Sequence, residues 1–98
     1  MSIEISSKGN ERYMNWFDAM EYCQSINIDG YGWRLPTKDE LENMIDKHDL
    51  KPSFYWSSDD NNKNFAYGRK MVVEGTPFMG YYDKSFTGYV RPVRNIVK

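Results

Sequence analysis

The chain is poor in the residues from which most small cores are built. It has three leucines, at positions 35, 41 and 50, against eight tyrosines, five phenylalanines and three tryptophans. A core made from it must be aromatic, and such side chains each bury enough area for 98 residues to close one domain, residues 1–98. A single cysteine, Cys23, excludes an intrachain disulfide, and His48 is the single histidine. Long apolar runs are missing and mean hydropathy is −0.79, which excludes a membrane-spanning helix. Met1–Asn10 is polar and lacks the apolar stretch of a signal peptide, so the expected location is the cytoplasm.

Patterns of catalysis are missing too. Ser57 and Ser58 have no G-x-S-x-G setting, and no paired-cysteine or His-Glu metal spacing occurs. Gly75, Gly80 and Gly88 are scattered and make no phosphate loop. The carboxylate pairs Asp39–Glu40 and Asp59–Asp60 fall where an exposed helix and loop are expected, away from the burial that raises a pKa. Cys23 reads as a core thiol and His48 as a helix-end residue. The chain is expected not to be an enzyme, with no cofactor and no metal.

The net charge of −1 conceals an asymmetry. Residues 1–62 carry six Lys/Arg against twelve Asp/Glu, and residues 63–98 carry seven against two. The favoured reading is that the halves fold together and neutralise. The other gives one acidic and one basic face, and would permit nucleic-acid contact through the C-terminal half, although no binding motif supports it.

What is present is a set of local signals. "SIEIS" alternates as a strand and "SKGNE" as a turn. Asn15 is placed to cap a helix whose apolar stripe is Trp16, Ala19, Met20, Cys23 and Ile26. Thr37 and Glu40 form a capping box behind Pro36, opening a second helix with Leu41, Met44, Ile45 and His48 inward and Lys38, Glu42 and Asp46 outward. The period then changes to two through "FYWSS", the loop "DDNNKN", "FAYGRKMVVEG", "TPFMGYY", the turn "DKS" and "TGYVRPVRNIV". In the last strand Tyr89, Arg91, Val93 and Asn95 share one face, and Val90, Pro92, Arg94 and Ile96 the other. Pro92 cannot donate to a ladder and demands an edge or a bulge; an edge there would suit a homodimer. The expected fold is α+β, with two helices packed on a small twisted antiparallel sheet with long loops.

Three motifs occur in order: "WRLPTKDEL" at 33–41, "YWSS" at 55–58 and "YVRPVR" at 89–94, joined by Tyr22-Cys23, Ala66 and Gly75. In these the chain, over about residues 13–94, resembles the Lcl C-terminal domain-like family of bacterial and phage domains, mostly without assigned function. The resemblance implies a C-type-lectin-like scaffold, related in pattern to formylglycine-generating domains and used to bind proteins or glycans. Pro92 stands where the family commonly has cysteine, so Cys23 lacks the partner that the pattern implies. The cysteines that hold copper in formylglycine-generating enzymes are missing, so that oxidase chemistry is not expected. Trp33, Arg34, Leu35, Pro36, Thr37, Glu40, Trp56, Tyr89, Arg91 and Arg94 read as structural. The Arg34 fork is expected to bond backbone carbonyls or a carboxylate across the core.

The leading functional expectation is a non-enzymatic binding module, with a protein partner ranked before a glycan. A small phage accessory protein that inhibits a host protein is the setting this short copy suggests. The expected surface is the loop Asp59, Asp60, Asn61 and Asn62 with the hairpin bearing Arg69, Lys70, Phe78, Met79, Tyr81 and Tyr82. Phe78 and Tyr82 share a parity that suits core or surface equally, and Tyr81 with Arg69 and Lys70 is the more suggestive set. The Asp59–Asn62 loop lacks the partner motif of sugar-binding calcium sites and reads as a solvated turn.

Overall fold

The computed structural model describes residues 3–44, 53–70 and 79–96. Asn15 caps the first helix as its position suggests, its side-chain oxygen accepting from the Asp18 N–H at 2.9 Å. That helix, α1, spans Trp16–Ser25 and buries Trp16, Ala19 and Cys23. The second, α2, spans Lys38–Met44 and buries Leu41 and Met44. Its capping box is formed in both directions: the Thr37 N–H donates to Glu40 Oε1 at 2.8 Å, and the Glu40 N–H to Thr37 Oγ1 at 3.2 Å. Ile45, Asp46 and His48 lie outside the described residues.

The strands are β1 (Ile3–Ile5), β2 (Arg12–Asn15), β3 (Phe54–Asp60), β4 (Phe65–Lys70), β5 (Met79–Asp83), β6 (Thr87–Val90) and β7 (Val93–Asn95), with a short 3-10 turn at Lys8–Asn10. Five of them form one sheet in the order β2-β6-β3-β4-β5, and β1 pairs with β7 in a separate two-stranded sheet. The fold is α+β. The main sheet is mixed, since β3 and β6 meet in the parallel sense at Tyr55 and Tyr89 while the other pairs are antiparallel.

Alternation along β3 sets the layers. Trp56 joins Trp16, Ala19, Cys23, Leu35, Ala66 and Val90 on the α1 side, and Tyr55 joins Leu41, Met44 and Val93 on the α2 side. The two helices therefore cover opposite faces of the sheet. Phe54 lies over Gly68 and Gly88, where a side chain at either position would collide with its ring.

One strand is added and one expectation corrected. Arg12–Asn15, for which the sequence pattern suggests no element, is a strand held by pairing with β6. "TGYVRPVRNIV" is not one edge strand: Val90, Arg91, Pro92 and Val93 are buried in succession, because the chain leaves the main sheet after β6 and joins β1 as β7. Pro92 sits at that junction, its carbonyl accepting from the Ser6 N–H at 3.0 Å, so it offers no free edge for a dimer.

Candidate binding surface

The three sequence motifs prove to be one clasp. The Arg34 and Val93 main chains exchange hydrogen bonds, and the Ser58 N–H donates to the Pro36 carbonyl at 2.8 Å. Tyr55 faces Tyr89, with ring centroids 5.6 Å apart. The Arg34 guanidinium binds Glu40 through both oxygens, at 2.7 and 2.9 Å, and the Asn95 side-chain oxygen at 2.6 Å. The carboxylate expected for Arg34 is thus the one that also caps α2. Its hydrogen bonds from Arg34, chiefly, and from Thr37 hold the Glu40 carboxyl below the usual range against the opposing pull of burial. Glu40 is therefore engaged and partly buried, which corrects the exposed position expected for it. Trp33 and Leu35 are buried, and the Arg94 guanidinium carbon lies over the Trp33 ring, 4.4 Å from its centre, while Nε binds Glu4 at 2.7 Å.

Charge asymmetry is consumed in the same way. Arg69 pairs with Glu42, Lys84 with Asp60, Arg91 with Glu11 and Arg94 with Glu4, and each pair joins the acidic first part to the basic second part. Both members of the Arg91–Glu11 pair are buried, and the Tyr55 hydroxyl donates to the same Glu11 oxygen at 2.7 Å. Arg91 also donates from Nε to the Ser6 carbonyl. These cations fasten the fold and make no exposed basic stripe.

The expected surface residues separate. Arg69, 5% exposed, is inside, against the expectation, because Glu42 reaches it from α2. Tyr82 is half-buried and packs edge-on against Phe54 at 4.5 Å. Tyr81 is 48% exposed, with its ring against the edge of Tyr67 at 5.8 Å. Asp60 is held by Lys84, and the Asn62 side chain accepts from the Asn64 and Phe65 N–H groups, so the loop is a hydrogen-bonded turn with Asn61 at its exposed tip. Asp59 is half-buried, its N–H donating to Ser57 Oγ at 3.2 Å. Phe78, Gly75 and the side chains of Lys70 and Met79 lie outside the described residues. Cys23 is buried, and desolvation pushes its thiol up to about 12, which removes thiolate chemistry at neutral pH.

A group that sequence reasoning missed lies at one end of the sheet. Phe17, Phe65 and Phe86 are 54%, 40% and 56% exposed. Of the three, Phe17 has its ring beside Lys84, while Phe65 and Phe86 approach that residue through their main chains. The Lys84 ammonium is 5.7 Å from the Phe17 ring centre and 4.1 Å from that of Trp16. The Lys84 N–H donates to the Asn64 carbonyl beside Phe65, and the Phe86 N–H closes the turn on Asp83. One signal was available: Phe17 stands off the Trp16–Ala19–Met20–Cys23 stripe, so the helix that buries Trp16 turns Phe17 outward.

Among the described residues no helix is long and apolar enough to cross a membrane, and no three metal-ligating side chains cluster. No curated protein matches the sequence. The Lcl C-terminal domain matches residues 4–94, which include all three motifs of the clasp, and the chain belongs to that family.

Proposed function

We propose that the domain is a non-enzymatic binding module that recognises a protein partner through the exposed aromatic residues Phe17 and Phe86 at the Lys84 end of the sheet. One observation carries this reading: the Phe17 ring stays open to solvent beside a lysine whose own charge is taken up by Asp60, and Phe86, two residues along from that lysine, is exposed as well. Burial of such rings against another protein is favourable at roughly 25 cal/mol per Å² of apolar surface. The polar groups around them are already engaged. Asp60 binds Lys84, Asp83 accepts from the Ser85 N–H and hydroxyl, and Asn62 closes its own turn. The exposed rings beside these engaged groups suit a protein surface.

A glycan partner is the second reading and follows from the lectin-like scaffold that the family resemblance implies. It needs free amide or carboxylate oxygens beside a ring, and the Asp59–Asn62 turn has engaged two of its own, Asn62 Oδ1 and Asp60 Oδ2. In the first reading the domain works by occupancy, in the cytoplasm, and inhibition of a host protein is the outcome that such occupancy produces.

The test compares wild type with a Phe17→Ser/Phe86→Ser double variant as bait, with partners identified by mass spectrometry and confirmed with purified protein. The expected result is a partner bound directly by wild type and lost with the double variant, in the presence of a calcium chelator. Equal binding by both baits, or a glycan-array signal abolished by chelator as the only interaction, would overturn the reading.

A further inference from the structure

The strand order places β5 at the outer edge of the sheet, beyond β4. Its hydrogen-bonding direction can be worked out residue by residue. In an antiparallel pair, facing residues alternate between exchanging two hydrogen bonds and exchanging none. Phe65 faces Asp83, and one step on the Lys84 N–H donates to the Asn64 carbonyl at 2.8 Å. Ala66 with Tyr82 and Gly68 with Gly80 are then the bonded pairs. On the far side of β4 the Tyr67 carbonyl accepts from Ser57 Oγ, as this alternation requires. Met79 and Tyr81 therefore direct their N–H and C=O groups away from β4, to a side on which no strand among the described residues pairs, and Asp83 adds its N–H, its carbonyl accepting from the Phe86 N–H at 3.0 Å.

Natural edges are usually blunted by proline, by a lysine or by a bulge. The sequence of β5 is MGYYD, with no proline and no cation. Tyr81, in its middle, is half exposed on the α2 face. On the α1 face nothing among the described residues lies within 4 Å of where a side chain at Gly80 would be.

We propose that β5 is a self-association edge: it pairs antiparallel with β5 of a second copy about a two-fold axis at Tyr81. This register is self-complementary at every position. Tyr81 meets Tyr81 and Met79 meets Asp83, so each outward-facing residue meets another outward-facing one. The two Tyr81 main chains exchange a pair of hydrogen bonds on the axis, and their rings become cross-strand neighbours on the α2 face. Gly80 stands opposite Tyr82 of the second copy and leaves room for its ring. The two Asp83 carboxylates fall at opposite ends of the pairing, whereas a register centred on Asp83 would set like charges face to face. A shift of one residue would bring outward groups against inward ones and lose the ladder. Five residues a side is a small contact beside the ~1,200–2,000 Å² of a stable interface, so the dimer is weak and concentration-dependent. This edge is distinct from the Phe17–Phe86 end, so the two assignments stand or fall separately.

Sedimentation velocity over a range of concentrations tests it. Wild type is expected to pass from monomer to dimer, and the Phe17→Ser/Phe86→Ser variant to match it. Tyr81→Lys sets two ammonium groups together on the axis and is expected to weaken dimerisation by roughly tenfold or more. Should Tyr81→Lys fail to fold, Tyr81→Cys reads the same geometry, because facing bonded residues have Cα atoms about 5.5 Å apart, within disulfide range. Mild oxidation is then expected to link it as a dimer, while Phe86→Cys stays monomeric. A wild type that remains monomeric at millimolar concentration, a dimer indifferent to Tyr81→Lys, or an edge that takes only an unrelated extended peptide overturns the proposal.

Discussion

The main chain of Arg34 exchanges two hydrogen bonds with that of Val93, at 2.7 and 2.8 Å, and its side chain binds the carboxylate that caps α2. One residue thus ties a loop, a helix start and the last strand. Lysine has no fork and cannot bind both Glu40 oxygens and Asn95 together. Arg34→Lys is expected to cost about 1–2 kcal/mol, the charge-assisted bonds being partly screened at a half-exposed site. The urea midpoint measures this, and an unchanged midpoint contradicts the clasp.

Acid should act through the same pair. Arg34, above all, holds the Glu40 carboxyl below its ordinary value in the folded protein. Stability from this group is complete above its unfolded pKa of about 4.3 and is lost as pH falls through the lower folded value. The stability difference between wild type and Glu40→Gln is therefore expected to be widest at neutral pH and to narrow below about pH 4. Denaturation across that window reads it; a difference indifferent to pH would place the stabilisation elsewhere.

Phe54 makes a prediction about packing. A side-chain carbon at Gly88 would lie 2.6 Å from the Phe54 ring and 3.0 Å from Trp56 Nε1, and one at Gly68 would meet the Phe54 ring more closely still. Gly68→Ala is expected to destabilise by about 1–3 kcal/mol. Phe54→Leu in the same chain should recover part of that loss, since the collision is with the end of one ring. Thermal unfolding of the two singles and the double provides the cycle; strict additivity would show that the strain lies in the backbone.

Cys23 should be silent in the native state. With the thiol buried and its pKa pushed up to about 12, a thiol-specific reagent is expected to label it only on unfolding. Rapid labelling at neutral pH without denaturant would show a more open helix packing than the structure has.

These outcomes also mark what the sequence could convey. The Asn15 cap and the Thr37–Glu40 box were legible because each is completed within three residues. Pro92 reads as an edge or a bulge and marks instead a crossing between sheets, which looks the same along the chain; only the partners of Val93 distinguish them. Arg69 carries a cation in a strand and reads as surface until Glu42 is brought over it from α2. Nothing in "RYMN" alternates, because Tyr13 packs on Tyr89 at one face while Met14 meets the other core from the edge. The candidate site suffered most. Phe17 and Phe86 come from a helix and a turn, and what brings them to one end is the contact of Phe17 with Lys84, two residues before Phe86.

The place of β6 has a consequence for how the chain is made. Thr87–Val90 lies between β2 and β3, so the strand that bridges the early and middle parts of the sheet is made after the other four strands of that sheet. Until it leaves the ribosome, β2 has no neighbour and β3 lacks one of its two. β7 then closes on β1 across almost the full length of the chain, at Asn95 opposite Ile3. The long loops that must close first make such folding slow relative to local hairpins. A nascent chain stalled before residue 87 therefore holds its aromatic residues without the strand that would cover them.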